Sequence, residues 1–216
     1  MPWQSGFLKG LMPTLVLSAV ALASPVQKPK SWSFDSEIVD QVAAEFTSDV
    51  GDWTVVPDGS APSKPNVLAQ SAKNERPVFN VSLVRSTSYL DLDIEVKFKA
   101  IAGQIDQGGG VVWRALDPKN YYIARYNPLE NNYRVYKVEN GRRLQLGSSD
   151  IKSSEGWHSL RVRMTGDQIE CFYDGQKYLE VKDSSFREAG KIGLWTKADA
   201  QTHFDDLKVT GFNPPE

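Results

Sequence analysis

The chain has 216 residues, 40% hydrophobic and 24% charged, which suits one soluble domain with its own core. A net charge of −2 gives no global argument for binding nucleic acid or anionic membranes, while local charge can still matter. A lone cysteine, Cys171, excludes an intrachain disulfide.

The first 23 residues read as an export leader. Lys9 precedes an apolar run from Leu11 to Ala23, and Ala21-Leu22-Ala23 puts small residues where a signal peptidase cuts. The run falls short of the ~20 apolar residues that a spanning helix needs, so no membrane span is expected after cleavage. The mature chain is therefore expected in the periplasm or outside the cell. Residues 24–31, with Pro25, Lys28, Pro29 and Lys30, read as a flexible lead-in to one domain over 32–212.

Residues 36–46 hold the only expected helix. Ser36 is a plausible cap, and Ile38, Val39, Val42, Ala43 and Phe46 follow at helical spacing. Strands follow, starting with 78–84 and 89–99. In the second of these, Leu90, Leu92, Ile94, Val96 and Phe98 alternate with Asp91, Asp93, Glu95, Lys97 and Lys99, the pattern of a half-buried strand. Further strands are predicted at 110–115, 120–126, 132–139, 142–147, 157–165, 168–173, 176–182, 190–197 and 202–210. Asn140-Gly141 and Asp174-Gly175 read as type I′ hairpin turns, with Gly166-Asp167 as a similar connector. Cys171 alternates with Ile169 and Tyr173 and is expected to be buried and inert. The fold class that follows is all-β, a two-sheet antiparallel β-sandwich.

Phosphate loops, dinucleotide fingerprints, HExxH and GxSxG are all missing from the sequence. Gly108-Gly109-Gly110 precedes a strand, not a helix, so it reads as a turn or bulge. His158 and His203 read as satisfied sheet histidines, and two His with one Cys make zinc a poor fit. No cofactor is expected beyond one candidate, a structural calcium ion on Asp205 and Asp206. The alternative for that pair is a charge device on an edge strand. Asp117, Glu130, Asp205 and Glu95 are the carboxylates from which a glycosidase pair would be drawn, and spacing singles out none of them.

The richest segment is 112–136. Trp113, Tyr121, Tyr122, Tyr126, Tyr133 and Tyr136 are interleaved there with Arg114, Arg125, Arg134, Asn127, Asn131 and Asn132. Aromatic faces stack on the C–H face of a sugar, while Arg and Asn bond its hydroxyls. The plainer reading is a Tyr- and Trp-rich core with solvated arginines outside. Trp195 and Lys197 share a strand face, either as a packing pair or as a stacking platform. The candidate carbohydrate site is therefore Trp113, Arg114, Tyr122, Arg125, Asn127, Asn132, Trp195 and Lys197. Asn80-Val81-Ser82 is also a glycosylation sequon.

Several of these motifs resemble one family. Asp106–Arg114 (DQGGGVVWR), Asn120–Asn127 (NYYIARYN), Tyr136–Gly141 (YKVENG), Gly190–Asp199 (GKIGLWTKAD) and Phe204–Leu207 (FDDL) are similar to the 3-keto-disaccharide hydrolase domain group of concanavalin A-like jelly rolls. Ala61-Pro62-Ser63 and Val67–Gln70 extend the likeness, which covers about 53–210. It implies two curved sheets whose concave face meets glycans. More typical members carry an acidic residue where this chain has Tyr122. The first expectation is accordingly a sugar-binding module with little or no catalysis. A hydrolase of disaccharides or 3-keto-disaccharides and a structural or protein-interaction module are the alternatives.

Overall fold

The computed structural model describes residues 1, 27–152 and 154–212. The predicted leader therefore lies, apart from Met1, outside the described residues. In chain order the strands are β1 (Lys30–Trp32), β2 (Trp53–Pro57), β3 (Asn66–Gln70), β4 (Phe79–Leu83), β5 (Asp91–Ala102), β6 (Gly109–Asp117) and β7 (Asn120–Asn127). Then come β8 (Asn132–Glu139), β9 (Arg142–Asp150), β10 (Trp157–Thr165), β11 (Gln168–Tyr173), β12 (Gln176–Lys182), β13 (Lys191–Lys197) and β14 (Gln201–Phe212). They form two antiparallel sheets. The large one runs β12-β11-β10-β5-β14-β3-β2, with β1 also on β14, and the small one runs β4-β13-β6-β7-β8-β9. This is the β-sandwich that the alternation predicts.

The core lies between the sheets. Leu92, Ile94, Val96 and Phe98 of β5 face Val111 and Trp113 of β6, Tyr122, Ala124 and Tyr126 of β7, and Ile192 and Leu194 of β13. Asn140 and Gly141 both have positive φ (52° and 78°), as do Asp174 and Gly175 (46° and 79°), as type I′ turns require. Cys171 is fully buried, and burial pushes its thiol up to about 12.

Two expectations fail near the start of the domain. Residues 36–46 form successive turns, not a helix, with Gln41 N bonded to Ile38 O and Phe46 N to Ala43 O. Asp40 N and Gln41 O bond β2 instead of helical neighbours, and Ile38, Val39 and Val42 face solvent. Only Ala43 and Phe46 of the supposed apolar stripe are buried. The end of the lead-in is also ordered by pairing: Lys30 and Ser31 oppose Val209 and Lys208, and Gln27 N bonds Gly211 O.

β14 holds the large sheet together. One side pairs with β5 along 201–205 and 208–212, with a bulge at 206–207; the other pairs with β3 over 202–204 and with β1 over 207–209. Asp205 falls where the partner changes. Its carboxylate accepts the Ser63 amide (2.9 Å) and hydroxyl (2.9 Å), tying the β2–β3 loop to the sheet. Asp206 lines a solvent-open hollow with Ser31, Glu95, Lys97 and Lys208. Asp205 Oδ1 also accepts the Asp206 amide (2.7 Å), and two lysines share the hollow with the half-buried Asp206. Among the described residues no group of three or more His, Cys, Asp or Glu could hold a metal. The Asn80 side chain is buried against Thr196 Oγ1 (2.9 Å), Ala198 O (3.1 Å) and Asn74, leaving the folded domain no room for a glycan there.

Candidate functional site

Strand parity divides the predicted site residues between the two faces of the small sheet. Trp113 and Tyr122 point inward and are wholly buried, stacked on each other at 5.5 Å and 23°. Trp113 Nε1 donates to Met164 Sδ, and Tyr122 OH donates to Asp183 (2.6 Å) while accepting the Ser185 and Phe186 amides. Burial and the Asp183 carboxylate push the Tyr122 hydroxyl up to about 12. Both residues belong to the core, out of reach of a dissolved sugar.

Arg114 is also removed from the expected face. Its positive φ of 46° marks a bulge after Trp113, where the pairing with β7 shifts register. The guanidinium turns to the end of the sandwich and donates to Leu90 O (2.7 Å), Phe186 O (2.8 Å), Gly166 O (2.8 Å) and Asp91 (3.1 Å). It clamps three connecting segments together.

The other five predicted residues do converge, on the outer face of the small sheet. Arg125 and Asn127 (β7), Asn132 (β8), and Trp195 and Lys197 (β13) share that face with a second apolar cluster that includes Val81, Val112, Tyr121, Ile123, Tyr136 and Val138. Glycine allows the close strand packing beneath them: a Cβ on Gly110 would lie 2.1 Å from Ala124 O and 2.8 Å from Arg125 Cβ.

Arg125 is 1% exposed and sits at the centre of a polar net. Nη1 donates to Asn132 Oδ1 (2.6 Å), and Nη2 to Glu130 Oε2 (2.8 Å) and Tyr136 OH (3.3 Å), while Nε is buried without a partner. Beside it, Asn127 donates to Asp106 Oδ1 (2.9 Å), and Lys197 Nζ reaches Asp106 Oδ2 (2.9 Å). Trp195 Nε1 donates to Tyr121 OH (3.1 Å). Burial drives the Tyr121 hydroxyl well above its ordinary value, so it stays a neutral acceptor.

The sequence reading missed several members of this face. Arg143 of β9 lies over the rings of Tyr136 (4.3 Å), Phe79 (5.4 Å) and Trp195 (5.7 Å). Tyr136 and Asp106 lay within the quoted motifs, and parity with Asn132 could have placed Tyr136. Arg143 lies in an otherwise exposed edge strand, where its neighbours give no sign of a site.

The candidate catalytic carboxylates do not pair across a cleft. Asp117 caps its own turn at Lys119 N (2.6 Å), Glu95 stands beside Lys97, and Asp205 is taken by Ser63. Burial would raise the Glu130 carboxyl, but bonds from Arg125 and Asn132 and the nearby Arg134 outweigh it and hold the group below its ordinary value. His158 lies between Asp174 (2.7 Å) and Ser154 O (2.9 Å), a satisfied sheet histidine as expected. His203 Nδ1 meets Asp58 (2.8 Å), and Ser60 Oγ meets the same carboxylate (2.7 Å). The carboxylate, and not the imidazole, touches that hydroxyl, so no Ser-His relay forms.

No family model and no curated protein matches the chain. Its fold is shared by solved structures. A carbohydrate-binding module, CBM66 of Bacillus subtilis, superposes at TM-score 0.64 with 20% identity over 76% of this chain and 94% of that one. The apo Crh5 transglycosylase matches at TM-score 0.60 with 10% identity, over 89% of this chain and 90% of that one. A Bacillus subtilis protein of unknown function with a galectin-like fold matches at 0.55 with 12% identity, over 76% and 91%. At these identities the likeness establishes a shared two-sheet β-sandwich fold.

Proposed function

We propose that the outer face of the small sheet binds carbohydrate outside the cytoplasm, and does so without cleaving it. The observation that carries this reading is the meeting of rings and polar groups on one sheet face, where Trp195 (1% exposed) and Tyr136 (4% exposed) lie under Arg143 and become available to a sugar when that side chain moves. Trp195 and Tyr136 stand beside Arg125, Asn127, Asn132 and Lys197, and the Arg125 Nε–H lacks an acceptor. Stacking on the rings and hydrogen bonds from planar donors are the two interactions a pyranose uses. Glu130 and Arg134 form the open rim, at 44% and 31% side-chain exposure, and Arg143 reaches over the rings from the edge strand.

Absence of cleavage follows from the carboxylates. A general acid must hold its proton near neutral pH, and Glu130 is biased the other way by its arginines. Tyr122, at the position the resemblance reserves for an acid, is sealed in the core. The exported location rests on the leader pattern over 1–23. A fold shared with a carbohydrate-binding module supports the binding reading.

A glycan array followed by calorimetry tests it. Wild type should bind at least one oligosaccharide class, and Arg125→Ala should weaken binding at least tenfold. Arg161→Ala, on the outer face of the large sheet, should leave binding unchanged. Binding that ignores the Arg125 change removes the site. Turnover of a plain or 3-keto disaccharide removes the claim that cleavage is absent.

A further inference from the structure

Of the four cations Arg125, Arg134, Lys197 and Arg143 on the ligand face, three are ion-paired, with two carboxylates between them. Arg125 and Arg134 share Glu130 at 2.8 and 3.1 Å, and Lys197 holds Asp106 at 2.9 Å. Arg143 has no ion-pair partner among the described residues, and its Nη1 is buried with no hydrogen-bond partner. Three aromatic rings lie beneath its guanidinium. Ring faces attract a cation, but they do not satisfy its N–H groups. Burial and the neighbouring Arg125 charge disfavour the charged form of this side chain, and Tyr136, Asp106 and Glu130 offset this only in part. A second unsatisfied donor, Arg125 Nε, lies on the same face.

We propose that this face selects sugars bearing a carboxylate, with Arg143 as the group that receives the uronate. The proposal rests on the carbohydrate-binding reading above. A guanidinium grips a carboxylate through two parallel N–H···O bonds, stronger than those to neutral hydroxyls. The rings that now lie under Arg143 would take the C–H face of the same sugar. With both local carboxylates already committed, the spare positive charge belongs to the ligand. A neutral sugar would leave Arg143 uncompensated, so the preference follows from the face's own charge count.

The test is calorimetric titration of the protein with oligogalacturonate, oligoglucuronate and oligomannuronate, against their methyl esters, the neutral parent oligosaccharides and polyglutamate. At least one uronate should bind tenfold or more tightly than its ester. Arg143→Met should abolish that preference and melt no lower than wild type, because it removes a cation without an ion-pair partner and keeps an apolar chain on the rings. Acids and esters binding alike would overturn the uronate assignment and leave the carbohydrate reading standing. No binding of any sugar would overturn both. Polyglutamate binding as tightly as the uronates would assign the face to acidic peptide instead. A preference that survives in Arg143→Met would remove Arg143 from the site.

Discussion

Arg114 and Arg143 belong to the same small sheet, and each brings a guanidinium into a poorly hydrated place. At the end of the sandwich Arg114 meets three backbone carbonyls and Asp91, so its donors are met by the protein itself. On the outer face Arg143 meets three rings and lacks an acceptor for Nη1. The first arrangement is complete and joins segments far apart in sequence. The second is incomplete, and incompleteness of a buried charge is the mark of a place where something else binds. The difference separates an arginine that stabilises the fold from one that awaits a partner.

The largest effect that can sharpen this contrast is at Arg114. Arg114→Ala strands the buried Asp91 charge and three carbonyls, and should cost about 3–5 kcal/mol, a fall in melting temperature on the order of 10 °C. Sugar affinity of the folded fraction should not change; lost affinity at full folding would mean that the two arginines are not distinct in kind. Tyr122→Phe comes next. It removes the hydroxyl shared by Asp183, Ser185 and Phe186, and chemical denaturation should register about 1–2 kcal/mol. Its calorimetric titration should match wild type, since the ring never leaves the core.

Asp183 gives that end of the molecule a pH signature. Burial raises its carboxyl, but bonds from Tyr122 and Ser185, with Lys137 nearby, outweigh this and hold it below the ordinary value. A depressed folded value means that the contribution is complete above the unfolded carboxyl value of about 4 and fades as pH falls through the folded one. The melting-temperature gap between wild type and Asp183→Asn should therefore be widest near neutrality and close in acid; a gap that widens in acid reverses the sign. The smallest stability change is expected for Glu130→Gln, under about 1 kcal/mol because the carboxylate is partly exposed. The same variant should bind a uronate several-fold more tightly, because it deletes the anion competing for Arg125 and Arg134. Unchanged affinity would separate Glu130 from the ligand face.

Much of the fold was legible because alternation repeats in strands with one wet face. β5 shows it from Leu92 to Lys99, and Asn140-Gly141 and Asp174-Gly175 mark hairpins by backbone chemistry alone. β3 escaped because it is buried on both faces, so Val67, Leu68 and Ala69 carry no period. β1 and β2 were too short to show one. The turns at 36–46 mimicked a helix because four or five apolar residues at suitable spacing do not reveal whether they share a neighbour.

The site was half legible. Trp195 with Lys197, and Arg125 with Asn127, share faces as period-two spacing requires. In β7 both parity sets contain tyrosine, so spacing alone did not tell Tyr122 from Tyr121, one in the core and one beneath the ligand face. At Arg114 a bulge breaks the period, an event with no signal in side-chain pattern. Arg143 becomes visible only when β9, β8 and β13 come together in space.

The position of β14 has a consequence for how the chain is made. β14, the last strand among the described residues, lies in the middle of the large sheet, between β5 on one side and β3 with β1 on the other. Until residue 201 is available, β5 and β3 present unpaired interior edges that no later loop covers. A transcript cut short before that point would leave two half-sheets with matching open borders, an arrangement suited to joining a neighbouring chain. The arrival of β14, more than any early hairpin, is the event that joins the two halves of the large sheet.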